Sequence, residues 1–153
     1  MEHSKLREVL ISMALKYKGN YRKIIKGLQF KERIEYELKE DKKYNTVTVI
    51  DTHYPKTFQD EQYINPPVVL FYIGNLKLLD EDVMKVYVLE DGTRFFTAID
   101  FLNENEGTVI DYIIACENEE NVYKMYQHIM KKGLKMKEYG DDEQNDDNTD
   151  TKC

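Results

Sequence analysis

The sequence predicts an α/β fold: a truncated, Rossmann-like, mainly parallel sheet with a small N-terminal helical appendage and a disordered acidic C-terminal tail. Two observations carry this prediction. From residue 44 onward, β-branched apolar runs alternate with stretches of helical spacing, as strands joined by crossover helices do. One of the runs, residues 68–73 (VVLFYI), is almost wholly apolar, which suits a parallel strand covered on both faces, and Thr108–Cys116 reads as another buried strand. With 153 residues, 41% of them hydrophobic, the chain is large enough for one domain or for a helical cap plus one domain. The expected boundaries are 1–43 for the helical region, 44–139 for the α/β domain and 140–153 for the tail.

The first segment reads as a helix because Leu6, Leu10, Met13 and Tyr17 recur at spacings of three and four, with Ser4 as its N-cap. Gly19 stops it. Asn20 caps a second helix whose apolar face is Ile24, Ile25 and Leu28, and a third over 31–40 turns Ile34 and Leu38 inward. Each is too short to hold in water alone, so all must pack. Residues 46–50 (TVTVI) form a strand that exits through Asp51, Thr52 and His53. Tyr54-Pro55 opens a helical turn reaching about Tyr63, with proline where a missing N–H costs nothing. Asn65-Pro66-Pro67 breaks it, residues 68–73 follow as a strand, and Gly74-Asn75 ends that strand.

Residues 85–89 (KVYVL) give a third strand, closed by Glu90-Asp91-Gly92. Residues 94–106 admit two readings. Phe95, Ile99 and Leu102 fit a helix; Phe95, Thr97, Ile99 and Phe101 fit strand alternation, with Asp91-Gly92 as a hairpin turn. The helix is preferred, because Gly107 then stops it before the buried strand Thr108–Cys116. The last helix has Asn118 as its cap, Glu119 and Glu120 in its first turn, Val122, Met125, Tyr126 and Ile129 inside, and Lys131 and Lys132 before Gly133. A short strand over 134–137 closes the domain.

The net charge of −7 conceals a gradient. Residues 1–30 carry seven basic against two acidic side chains, whereas residues 141–153 carry six acidic ones against Lys152. A tail with no apolar residue before Cys153 buries too little to order, so disorder is expected from about Gly140. Its plain role is solubility; its sharper one is competition for the basic N-terminal face. No apolar stretch approaches the ~18 residues of a membrane span, and the N-terminus lacks the order of a signal peptide. A cytoplasmic protein with no membrane partner is therefore expected.

The chemistry classes narrow in the same way. Cys116, in an expected buried strand, and Cys153, the last residue, support neither a disulfide framework nor a thiolate metal site. His3, His53 and His128 have no ligand spacing. There is no dinucleotide or P-loop glycine motif and no nucleophile–base arrangement, and Glu117, Glu119 and Glu120 read as helix N-terminal charges. The expectation is a protein without enzymatic activity, metal or cofactor.

Parallel α/β sheets gather ligands beyond the C-terminal strand ends, here residues 51–53, 74–77, 91–94 and 117–120. Gly74, Asn75 and Lys77 are the candidate ligand-binding residues. In Gly92-Thr93-Arg94, glycine permits close backbone approach, N–H groups at a helix start attract anions, and arginine clamps phosphate. The plainer reading is an Asp-Gly turn with an exposed arginine. The basic set Lys16, Lys18, Arg22, Lys23 and Lys26 is interleaved with Tyr17 and Tyr21. Such a surface contacts phosphates while its rings stack on unpaired bases; alternatively it is a solvated face whose tyrosines pack inward.

One stretch has a familiar look. His53-Tyr54-Pro55-Lys56-Thr57-Phe58, followed by Ile64-Asn65-Pro66-Pro67-Val68-Val69-Leu70-Phe71-Tyr72-Ile73-Gly74-Asn75-Leu76, resembles the entry segment of the DNA-processing protein A (DprA/Smf) family. There a YP-x-x-L turn leads into a PP-x-x-L-F/Y-x-x-G strand. Residues 14–28 (ALKYKGNYRKIIKGL) resemble the N-terminal helical region of small bacterial and phage members, and the similarity covers about residues 5–80. The resemblance implies a Rossmann-like domain that binds single-stranded DNA, commonly as a dimer, without catalysis. It also implies a phosphate contact at a G-S/T-R signature after the next strand, where Gly92-Thr93-Arg94 stands. Here Glu90 and Asp91 are interposed, Phe95-Phe96-Thr97 follows, and the family's later glycine-rich stretch is missing.

The expected function is thus that of a small bacterial or phage protein binding single-stranded DNA, in DNA processing, uptake or phage DNA metabolism, with a homodimer or a protein partner as further associations. The alternatives are a degenerate Rossmann-like nucleotide sensor and an interaction module in which a sheet edge left by truncation pairs with a partner or with itself.

Overall fold

Helical spacing near the N-terminus yields α1 (His3–Lys16) and α2 (Tyr21–Gln29). The Asn20 side-chain oxygen caps α2 by accepting the Lys23 N–H at 3.1 Å. Both helices turn their apolar sides inward, burying Leu10, Ile11, Met13, Ala14 and Ile24. The computed structural model describes residues 3–30, 43–61, 63, 65–81, 84–103 and 108–130. The expected helix over 31–40, the strand over 134–137, Gly107, Lys131 to Gly133 and the acidic tail lie outside the described residues. No described helix is long and apolar enough to cross a membrane.

The strands are β1 (Asn45–Thr48), β2 (Val69–Gly74), β3 (Lys85–Val88), β4 (Arg94–Asn103) and β5 (Thr108–Cys116), followed by α3 (Glu119–Met130). They form one five-stranded sheet in the order β1-β2-β5-β4-β3. Every neighbouring pair in it is antiparallel. This overturns the expected mainly parallel, Rossmann-like sheet.

The apolar runs do report two-sided burial, but by a different architecture. On one face Val69, Phe71, Ile73, Phe95, Tyr112, Ile114 and Cys116 pack beneath the three helices, through Leu10, Met13, Ile24 and Val122 among others. On the other face Val47, Leu70, Phe96, Ala98, Ile113 and Ala115 pack beneath Tyr54, Phe58 and Leu79. Those three belong to the segments around two 3-10 turns, Lys56–Gln59 and Leu76–Asp80. Successive residues of β2 and β5 thus enter different cores, and a continuous apolar run follows whichever way a strand points.

Of residues 94–106, the described part, 94–103, decides the topology; 104–106 lie outside the described residues. The preferred helix is instead β4, whose Phe95 and Ile99 join the helix-covered core and whose Phe96 and Ala98 join the other. Without a crossover helix there, β3, β4 and β5 run as a meander, the arrangement that antiparallel strands with short connections allow. The β3–β4 turn is tight: Leu89 N–H donates to Thr93 O at 2.8 Å and Gly92 N–H to Leu89 O at 2.9 Å. Gly92 takes φ +86 in it, the left-handed residue that three-residue hairpin loops require.

Candidate functional site

β4 opens with Arg94 where β5 closes, so the guanidinium meets Glu117 directly. Arg94 Nε donates to Glu117 Oε1 at 3.0 Å and Nη2 to Oε2 at 2.7 Å, while Arg94 N–H donates to Oε1 at 2.8 Å. Nη2 also reaches Asn65 O at 2.6 Å, and the guanidinium lies 5.7 Å from the Phe96 ring centre. Burial alone would lower the Arg94 pKa; the hydrogen bonds and charge of Glu117 more than offset it and raise the pKa. The neighbouring Tyr54 and Tyr63 phenols are pushed up by burial, against the pull of Arg94.

Asp91 is held in a similar way. Burial would raise its pKa, but hydrogen bonds from the Thr93 hydroxyl and N–H, Asn121 and Asn118 bring it down to about 2. The Thr93 N–H lies at 2.9 Å, Asn121 Nδ2 at 2.8 Å and Asn118 Nδ2 at 3.1 Å.

The phosphate reading of Gly92-Thr93-Arg94 is corrected by this geometry. It depended on a helix starting at Thr93, and the segment is a hairpin whose Thr93 is buried against Asp91 and whose Arg94 is bonded to a carboxylate and a carbonyl. The triplet fastens the end of the sheet.

Gly74, Asn75 and Lys77 lie elsewhere. Gly74 pairs with Ile113, four residues along β5 from Glu117 and therefore roughly 13 Å away. Asn75 Nδ2 donates to Asp111 Oδ2 at 2.7 Å and Asn75 Oδ1 accepts the Lys77 N–H at 3.1 Å, which makes the asparagine the cap of a 3-10 turn. Lys77 is exposed. Because neighbouring strands run in opposite directions, the end of β2 faces away from the ends of β1, β3 and β5. The strand-end sites expected to converge are split between two ends of the sheet.

Three members of the basic set share one helical face. Arg22, Lys23 and Lys26 are exposed on α2, while Ile24 and Gly27 are buried and Ile25 and Leu28 pack against the core. Offsets of three and four place Lys26 beside both Lys23 and Arg22. The α2 segment (YRKIIKGLQ) contains no acidic residue. Lys16 and Lys18, both exposed, precede α2 in the chain; Lys16 Nζ lies 5.2 Å from the Tyr17 ring centre and Lys18 Nζ 3.8 Å from Glu120 Oε2. Tyr17 and Tyr21 are half-buried and pack against the core, while Lys16, Lys18, Arg22, Lys23 and Lys26 are exposed.

A second cluster had no clear trace in the sequence. Arg7 Nε donates to both Asp51 oxygens at 3.1 Å and its Nη2 to Thr46 O at 2.9 Å; the Thr48 N–H donates to Asp51 Oδ2 at 2.8 Å, and His3 Nε2 lies 3.5 Å from Oδ1. These contacts tie α1 to the outer strand β1. The only signal was one aspartate directly after an apolar run, and its partner stands 44 residues earlier. Burial would raise the Asp51 pKa, but the Thr48 N–H and the Arg7 guanidinium outweigh it and hold the carboxyl below its usual range.

The sign of the linkage follows. A carboxyl with a depressed folded-state pKa contributes its full support above the unfolded value, about 3.9, and loses it as the pH falls through the folded value. Asp51→Asn should therefore destabilise the protein by roughly 1–3 kcal/mol at pH 7, with the gap to the parent narrowing below about pH 4. Urea denaturation of both proteins at pH 7 and pH 3 checks this, and an equal gap at both values would remove the ionic role.

Among the described residues no group of His, Cys, Asp and Glu could hold a metal ion. Burial pushes the Cys116 thiol pKa up, which leaves it poorly nucleophilic. Comparison with protein-family models, with curated proteins and with solved structures finds no match.

Proposed function

We propose that the protein binds single-stranded DNA through the basic ridge formed by Lys16, Lys18, Arg22, Lys23 and Lys26, and that it does so without catalysis. The supporting observation is the outward face of α2: in a chain of net charge −7, an amphipathic helix turns only Arg22, Lys23 and Lys26 among its charged side chains to solvent. Cations on a convex helical face contact a flexible phosphate backbone and release its counterions. The Lys18–Glu120 pair, with side chains 67% and 53% exposed, is a weak surface contact that a phosphate can replace at little cost. The resemblance of residues 14–28 to the helical region of DNA-processing protein A points the same way. Gly92, Thr93 and Arg94, and likewise Gly74, Asn75 and Lys77, form no part of this interface. The nucleotide-sensor alternative loses its structural basis with the parallel sheet.

Fluorescence anisotropy with labelled oligo-dT across a salt series tests the reading. About four phosphate contacts predict a slope of log K against log salt near −3, and Arg22→Glu with Lys23→Glu should reduce its magnitude by at least about 1.4. Lys77→Glu should leave it unchanged. A slope near zero in the parent protein would overturn the proposal.

A further inference from the structure

The sheet has one edge that no described element covers. β3 is exposed at all four positions, and Val86, Tyr87 and Val88 are 43%, 49% and 71% exposed. Bare apolar edges invite pairing, which single-domain proteins usually block with charge, proline or a covering segment. At the opposite edge Arg7 occupies the Thr46 carbonyl of β1.

The hydrogen-bond phase of β3 fixes what the edge offers. Leu89 bonds inward to Thr93, so by alternation Lys85 and Tyr87 also direct their backbone groups to β4. Val86 and Val88 therefore direct theirs outward. Tyr87 stacks on Phe95, 5.7 Å between ring centres, on the helix-covered face of the sheet. Val86 and Val88 stand on the other face.

We propose that this edge takes a second copy of the same chain. Two β3 strands pair antiparallel about a two-fold axis at Tyr87, joining two five-stranded sheets into one continuous sheet. A two-fold axis through a sheet keeps each residue on its own face, so paired residues must have the same parity. The register centred on Tyr87 meets that condition and sets Val86 of each copy against Val88 of the other. Both outward residues then bond fully, giving about four inter-copy hydrogen bonds. Shifting the axis to Val86 or Val88 would instead pair Val88 with Met84, whose N–H already bonds Glu81 O at 3.3 Å, or Val86 with Glu90 in the turn.

Charge selects the same partner. The strand begins with basic Lys85 and ends at acidic Glu90 and Asp91, so an antiparallel copy places each Lys85 opposite Leu89, beside the partner's Glu90, twice in the dimer. The exposed apolar side chains gain cross-strand neighbours in the same step: Val86 meets the other copy's Val88 on one face, and the two Tyr87 side chains meet on the other.

The experiment is sedimentation over a concentration series, with cross-linking to read the register. The parent chain should show a monomer–dimer equilibrium. Val86→Pro removes an outward N–H that β4 does not use, which an edge strand tolerates, and should weaken the dimer roughly thirty-fold through two lost hydrogen bonds per dimer. In a Cys153→Ser background, Tyr87→Cys should form an intermolecular disulfide on mild oxidation, because a non-hydrogen-bonded pair brings Cα atoms to about 4.5 Å, within disulfide reach. Val88→Cys, whose facing residue is Val86, should not. Monomer at every concentration, a dimer indifferent to Val86→Pro, or cross-linking through Val88→Cys instead of Tyr87→Cys would each overturn the proposal.

Discussion

Arg94→Met should lower the unfolding free energy by about 3–5 kcal/mol, among the largest effects of any single substitution outside the apolar core. The Glu117 side chain is 6% exposed, and Arg94 is its only ion-pair partner among the described residues. Without the guanidinium, a carboxylate remains in a nearly dry site with one backbone N–H, from Arg94 itself, to solvate it. Glu117→Leu should be comparably harmful, since it strands a guanidinium that is 18% exposed between Phe96 and the Asn65 carbonyl. The double replacement should cost well under the sum of the two, because removing both charges also removes the cost of burying them. Urea denaturation of the four proteins gives the coupling. Strict additivity would mean that the two side chains do not sense each other, contrary to the forked contact at 2.7 and 3.0 Å.

That pair also shows where reading the sequence reaches its limit. Helices α1, α2 and α3, with Asn20 and Asn118 as caps, were legible because spacing and capping are local. The ridge of Arg22, Lys23 and Lys26 was legible for the same reason, as neighbours on one helical face. Strand direction was not. An apolar run such as VVLFYI reports what covers a strand, and two 3-10 turns on one face with three helices on the other bury it as fully as crossover helices would.

The contacts that define the ends of the sheet were invisible for a related reason. Arg94 bonds Glu117 across 23 residues, Arg7 bonds Asp51 across 44, and the Tyr44 hydroxyl donates to Glu119 Oε2 across 75. None of these separations is a helical or strand period, so no local pattern marks them. Once residues 94–106 are mistaken for a helix, Arg94 looks like a free clamp at a helix start. As the first residue of a hairpin strand, it is an internal fastening.

Gly19→Ala should be the second severe substitution, and its cause can be isolated. Gly19 is buried at φ +78 in the corner between α1 and α2, directly after Lys18 at φ +52. A Cβ there would stand 2.4 Å from Glu117 O and 2.9 Å from Asn118 N, both backbone atoms. Neither can easily yield: the Glu117 side chain is locked to Arg94, and the Asn118 side chain caps the first turn of α3 by accepting the Glu120 N–H at 3.1 Å. The left-handed conformation costs an alanine roughly 1–2 kcal/mol by itself, and the collision adds to that, for a loss of about 3 kcal/mol or more. Gly92→Ala is the control. Gly92 has a similar φ of +86 but nothing within 4 Å of an added Cβ, so it should lose only the conformational share. Equal losses for the two variants, measured by urea denaturation, would show that the corner does not press on the end of β5. The expected excess at Gly19 would show that the α1–α2 corner, from which the basic ridge projects, is seated on the same Glu117 backbone that fastens the sheet.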